Sequence, residues 1–183
     1  MEKTIRSRII AFSKETAILI SAIVAAVLLP QMVHGIGVVT GVGGMLGQIL
    51  LPMYIPVFVI GFYRGPVSGI LTGLFAPLIS FWMTGMPAMN ILPYMMIELI
   101  AIGALAGLLA KSKGAALWRV LMVQAGAKAV RSLIFAGNLY FATEGALTVS
   151  AVFGDVVRSI PGILLQLVVV TVLLKMKEKE DNV

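Results

Sequence analysis

Ionisable side chains stand inside otherwise apolar runs of this 183-residue chain at three places: Glu98, Lys128 with Arg131, and Asp155 with Arg158. A charge within an apolar helix is costly, so it normally turns toward a bundle interior or a water-filled cavity and marks a functional site. The spacing around these charges continues as polar stripes. Asn90, Tyr94 and Glu98 stand at successive four-residue steps, and Gln124, Lys128, Arg131 and Asn138 follow a heptad-like path. Asp155, Ser159, Gly162 and Gln166 do the same, with Arg158 adjacent. Stripes of this kind on three helices are expected to converge on one outward-facing cavity, too polar for lipid and suited to a small hydrophilic ligand. Lys128 and Arg131 against Glu98 leave a cationic surplus, which favours a carboxylate or phosphate because Arg engages either through two parallel hydrogen bonds. An anionic or zwitterionic solute is therefore the expected ligand. The plainer alternative makes Glu98 and Lys128 a structural ion pair, an inefficient packing device since desolvation offsets the attraction. That alternative leaves Arg131 without a partner.

The same inventory argues against catalysis. The chain has no cysteine and one histidine, His34, so thiolate chemistry and histidine-based metal clusters are excluded. It carries no His-Glu-x-x-His and no closely spaced acidic pair for metal-assisted phosphoryl chemistry. The expectation is a binding protein rather than an enzyme, with no metal site and no cofactor in this chain.

The elements that would hold these residues are membrane spans. Hydrophobic residues make up 60% of the chain and charged ones 12%, and the mean hydropathy is +1.04. Apolar residues fill whole runs rather than one face of each, which excludes a water-soluble core and surface. The pattern predicts an all-α integral membrane protein, a single domain over residues 1–183 with a six-helix transmembrane bundle. Its spans are expected at about 16–33, 48–63, 66–84, 88–110, 117–137 and 152–174. Pro52 and Pro56 each remove a backbone donor, so the second span is expected to be bent or interrupted. The N-terminus resembles a signal peptide, but no cleavage site stands out before Gly35 and more spans follow, so the first helix is expected to stay. Eleven of the fourteen basic residues fall in the N-terminus, the second and fourth connections, and the C-terminus. By the bias of Lys and Arg toward cytoplasmic loops, both termini are inside. The net charge of +6 thus reads as topology in a multi-pass prokaryotic plasma-membrane protein, not as a nucleic-acid surface.

Small residues set the packing. Gly61, Gly65, Gly69 and Gly73 recur every four residues, and Gly103 and Gly107 repeat the step, which lets helix backbones approach closely. Ala22 and Ala26 form a similar pair in the first span, able to dock on a neighbouring helix or on a partner subunit. The first outer connection, His34 to Gly47, includes Gly35, Gly37, Gly41, Gly43 and Gly44. It reads as a lid over the cavity or as an unspecialised flexible loop. Trp82 to Asn90 forms an aromatic and Met-rich outer connection, either an interfacial anchor or a cover for an apolar part of the ligand.

Six spans with both ends inside, an Ala-x-x-x-Ala first helix, a glycine-rich first outer loop and polar stripes on the last three helices together resemble the substrate-binding S component of energy-coupling factor (ECF) transporters. The stretch Gly61-Phe62-Tyr63-Arg64-Gly65-Pro66 through Gly69 and Gly73, then Thr84-Gly85-Met86-Pro87, Leu92-Pro93 and Glu98, is similar to vitamin-uptake members of that group. The resemblance covers nearly the whole chain, within a group that shares its fold far better than its sequence. It implies a membrane-embedded protein that captures a vitamin or related micronutrient. A transmembrane coupling subunit and two cytoplasmic ATPases would then energise release, using ATP. Ala22 and Ala26 would map onto the docking surface for the coupling subunit. Trp82, Asn90, Tyr94, Glu98, Lys128, Arg131, Asn138, Arg158 and Gln166 would surround the substrate; pantothenate, with its carboxylate, would suit Lys128 and Arg131. The competing expectation is a self-sufficient secondary transporter or channel. Such carriers commonly repeat two halves with broken helices in matching positions, and only one interrupted segment is evident here.

Overall fold

The computed structural model describes the backbone of residues 2–41, 45–141 and 149–181, and the side chains of 13–41, 46–47, 49–137, 157 and 159–180. Within these the fold is wholly helical, as expected where hydrocarbon leaves each backbone N–H and C=O to be satisfied inside its own segment. In chain order the helices are α1 (Glu2–Val39), α2 (Met45–Leu50), α3 (Tyr54–Arg64), α4 (Pro66–Thr84), α5 (Leu92–Leu109), α6 (Ala116–Phe141) and α7 (Val149–Asp181). Five stretches are long and apolar enough to cross a membrane: Ser13–Val39, Pro66–Thr84, Leu92–Leu109, Ala116–Gly137 and Ser159–Glu180. They mark a multi-pass membrane protein.

The second expected span is broken into two. Residues 51–53 are non-helical between α2 and α3, and Leu51 has a φ of 48°, a left-handed conformation rare for a branched apolar residue. Pro52 has no N–H to continue α2, so the chain must turn there. Pro56 lies in the first turn of α3, where a missing N–H breaks no helical bond.

The first outer connection is more helical than its glycines suggested. α1 continues through His34, Gly35 and Gly37 to Val39, and helix resumes at Met45. Each glycine costs a helix only about 1 kcal/mol, less than exposing unpaired backbone groups in an apolar setting. Of the six candidate lid residues, only Gly41, with a φ of 76°, occupies a described turn. Gly43 and Gly44 lie outside the described residues.

Glycines draw α4 onto α5. A Cβ placed on Gly103 would lie 2.8 Å from Gly69 Cα, and one on Gly73 2.6 Å from the backbone of Leu99. Gly61, on α3, faces the Ala106 methyl of α5 in the same way, at 2.8 Å. The four-residue glycine repeat is therefore used for packing within this chain. Ala26 is likewise fully buried in the core, beside Val27, Tyr54 and Phe58, and Ala22 is half-buried. Ala26 thus turns inward to the core, one turn from the half-buried Ala22.

One end of the bundle gathers its basic residues. Arg64 Nη1 meets Glu15 Oε1 at 2.8 Å, and Arg119 pairs with Glu178. Lys177 Nζ donates to the Phe62 carbonyl at 3.3 Å and lies 4.6 Å from the Tyr63 ring centroid. The Arg64 pair ties α3 to α1, and the Arg119 and Lys177 contacts fasten the last turns of α7 to α6 and α3. Helix continues past Leu174, where the last span was expected to end, to Asp181.

Candidate functional site

The site begins with Glu98, the second-turn carboxylate of α5. The fourth span was expected from about residue 88, but α5 starts at Leu92, so Glu98 is only about 9 Å along the axis from that end. Lys128, on α6, lies about 20 Å from the Phe141 end because that helix is longer than its apolar run. The two still meet. Lys128 Nζ lies 2.6 Å from Glu98 Oε1, and Arg131 Nη1 donates to Glu98 Oε2 at 2.6 Å. The Tyr54 hydroxyl, from the first turn of α3, donates to the same Oε2 at 2.9 Å. Arg131 is therefore partnered, contrary to the sequence expectation that a Glu98–Lys128 pair leaves it alone. The i, i+3 spacing puts both cations on one face of α6, and one fully buried carboxylate pairs with both.

A second network holds the helix break. The Gln124 side chain of α6 donates to Gln166 of α7, and both are buried. Gln166 Nε2 in turn donates to the Leu51 carbonyl at 3.4 Å. Gly162, one turn earlier on α7, abuts the end of α2: a Cβ there would lie 2.5 Å from the Ile49 carbonyl oxygen. The Leu51 carbonyl also accepts from the Tyr54 N–H at 3.1 Å, so a backbone and a side-chain donor together hold the broken turn.

The two networks flank a cavity of about 240 Å³. Pro30, Gln31 and His34 of α1 form one wall, and Gly47 and Leu51 to Tyr54 form the next. Ser80 of α4, the 86–91 connection and Met95 of α5 complete it, with Arg131 contributed by α6. Gly47 makes room for the His34 ring, since a Cβ there would fall 2.5 Å from it. The cavity lies at the end of the bundle opposite the Arg64, Arg119 and Lys177 contacts. Its walls are mainly apolar, with Gln31, His34, Tyr54, Ser80 and Arg131 as the polar points.

The expected substrate residues are distributed unevenly around this space. Arg131 lines it, and Glu98 and Lys128 stand behind Arg131 and Tyr54. Asn90 is exposed in the turn before α5, which cuts the four-residue stripe short of the helix. Tyr94 packs against Phe135, ring centroids 5.5 Å apart. Trp82 is 92% exposed and away from the cavity. Gln166 faces the Leu51 backbone. The side chains of Asn138 and Arg158 lie outside the described residues. Of the lid residues, His34 lines the cavity. Among the described residues, the polar groups of these stripes are largely engaged with each other, and Arg131 is the one that lines the cavity. Gln31 and Tyr54 escape the sequence reading because each is a single uncharged polar residue in an apolar run beside a proline, with no stripe to announce it.

Comparison with family models, with curated proteins and with solved structures finds no match to this chain.

Proposed function

We propose that this protein is a membrane-embedded solute-capture component, the substrate-binding S component of an ATP-driven ECF importer for a small vitamin-like micronutrient. The observation that carries the reading is the cavity itself: mainly apolar walls, a few converging polar groups and one charged lining residue, the arrangement of a small-molecule site. On this reading the cluster of Lys and Arg at the opposite end lies in the cytoplasm, both termini are inside, and the cavity opens outward. α2 and α3 together form the sixth span, interrupted where it walls the cavity. The chain itself does no chemistry. A transmembrane coupling subunit and two cytoplasmic ATPases supply the energy.

The test is mass spectrometry of small molecules retained by the gently purified protein, followed by calorimetric titration of the compound found. A stoichiometric, chemically unchanged ligand is the expected result; turnover of that ligand would overturn the assignment. One feature favours a second reading. A discontinuous helix beside a cavity is also how secondary transporters build their sites. Uptake into proteoliposomes driven by an ion gradient alone would select that carrier, whereas dependence on co-expressed ATPase and coupling subunits selects the S component.

A further inference from the structure

Resting on the capture reading, we propose that His34 of α1 and Ser80 of α4 read the ligand, a molecule of single-ring size with an apolar body and one edge carrying both a hydrogen-bond donor and an acceptor, as in a cyclic amide. Both side chains line the cavity. Other polar groups of the wall are engaged or enclosed: Tyr54 and Arg131 bind Glu98, and the Gln31 amide nitrogen is sealed from solvent. Ser80 differs. Ser and Thr within a helix can donate to the carbonyl four residues back, as Thr72 does to Ser68 at 2.9 Å and Thr84 to Ser80 at 2.8 Å. The Ser80 hydroxyl makes no such bond and has no other partner among the described residues, although the residue is only 2% exposed. It is not shut away from solvent either, and the space it opens onto is the cavity. A polar group held in that state is satisfied by whatever occupies the space.

The His34 ring likewise has no hydrogen-bond partner among the described residues, and neither of its nitrogens is sealed from solvent. Its position is set by α2, where Gly47 leaves the space that the imidazole occupies. A hydroxyl both donates and accepts, and a neutral imidazole does the same through its two nitrogens. The pair is therefore matched by a ligand edge that holds one donor and one acceptor. The remainder of the ligand is fixed by size and lining. A volume of about 240 Å³ is below the ~300–1,000 Å³ of sites for drug-sized molecules, so one ring fits better than two. Leu51, Met53, Ile91 and Met95 make much of the wall apolar, and a polyol of the same size would leave hydroxyls there without partners.

The experiment measures, on purified full-length protein, the calorimetric affinity for four probes: 2-pyridone, δ-valerolactam, N-methyl-2-pyridone and myo-inositol. The first two carry an adjacent C=O and N–H, methylation removes the donor, and inositol is the polyol. The two unmethylated lactams are expected to bind about fivefold more tightly than N-methyl-2-pyridone, the worth of one neutral hydrogen bond, with inositol weakest. Ser80→Ala and His34→Phe should each weaken 2-pyridone about fivefold. Ser80→Ala should also leave the unfolding midpoint unchanged, because a hydroxyl without a protein partner adds nothing to the fold. A lowered midpoint with unaltered 2-pyridone affinity marks a structural hydroxyl and overturns the assignment. Gly47→Ala is the independent arm should His34→Phe fail to fold. Its methyl meets the far end of a side chain rather than backbone, so it should turn the His34 ring and weaken 2-pyridone without unfolding the protein. Unchanged 2-pyridone affinity in Ser80→Ala and Gly47→Ala, or inositol binding as tightly as 2-pyridone, overturns the class while leaving capture intact. If no probe binds, the compound retained on purification decides: one with such an edge, lost from Ser80→Ala, upholds the class, and any other overturns it. With no probe bound and nothing retained, the class and the capture reading fall together.

Discussion

Gly103→Ala tests whether backbone contact between α4 and α5 holds the bundle, because the added methyl has nowhere to go. Its Cβ would lie 2.8 Å from Gly69 Cα, whereas relaxed carbon pairs sit at about 3.5–4.0 Å. The obstacle is backbone, so no rotamer change relieves it and the helices must part by about 1 Å. A gap of that size forfeits roughly a quarter to a half of each dispersion contact, and each is worth about 0.1–0.2 kcal/mol. Over some tens of atom pairs along the interface the loss is about 1–3 kcal/mol, the range measured for overpacked interiors. Alanine's better helix propensity returns up to about 1 kcal/mol, leaving a net destabilisation. Gly137→Ala in α6 is the control, since a Cβ there meets none of the described residues within 4 Å. The assay is unfolding in mixed detergent micelles followed by circular dichroism, with ligand affinity measured in parallel because Ser80 on α4 and Met95 on α5 both wall the cavity. Equal midpoints for Gly103→Ala, Gly137→Ala and the unmodified protein would refute the close-contact argument.

Glu98→Gln keeps the shape of the side chain but leaves Lys128 and Arg131 without their shared counter-charge, and is expected to cost about 3–5 kcal/mol in the same unfolding assay. A change below 1 kcal/mol would show that the triad is electrostatically idle. Gln166→Leu strands the buried Gln124 side chain and leaves the Leu51 carbonyl with the Tyr54 N–H alone, for an expected loss of about 1–3 kcal/mol. Adding Gln124→Leu should then cost less than its effect alone, since the two share one network. Orientation is directly measurable because the chain has no native cysteine. In intact cells a membrane-impermeant maleimide should label Met89→Cys, in the connection beside the cavity, and spare Lys113→Cys until the cells are opened. The reverse pattern would invert the assigned topology.

Helix existence was legible throughout, because apolar runs of membrane length have one structural outcome in hydrocarbon, and the break at Pro52 followed from a missing donor. Helix ends were not. α1 runs through His34, Gly35 and Gly37, and α6 to Phe141, because neither glycine nor a polar residue is enough to stop a helix whose alternative is unpaired backbone. The partnership of Glu98 and Lys128 was readable from matched charges in adjacent spans. What spacing alone did not reveal is how many polar groups one carboxylate could absorb. Glu98 takes Lys128, Arg131 and a tyrosine from an interrupted helix, and Gln124 and Gln166 are spent on each other and on Leu51. A polar stripe on a helix establishes that its residues avoid lipid, and avoidance is satisfied equally by a ligand, a neighbour or a broken backbone. The residues that shape the open space belong largely to α1, the break and the 86–91 connection, where single polar side chains interrupt proline- and methionine-rich sequence. In a chain of this kind the cavity forms where the helical lattice fails to close, so prolines beside isolated polar residues indicate it as strongly as buried charge does.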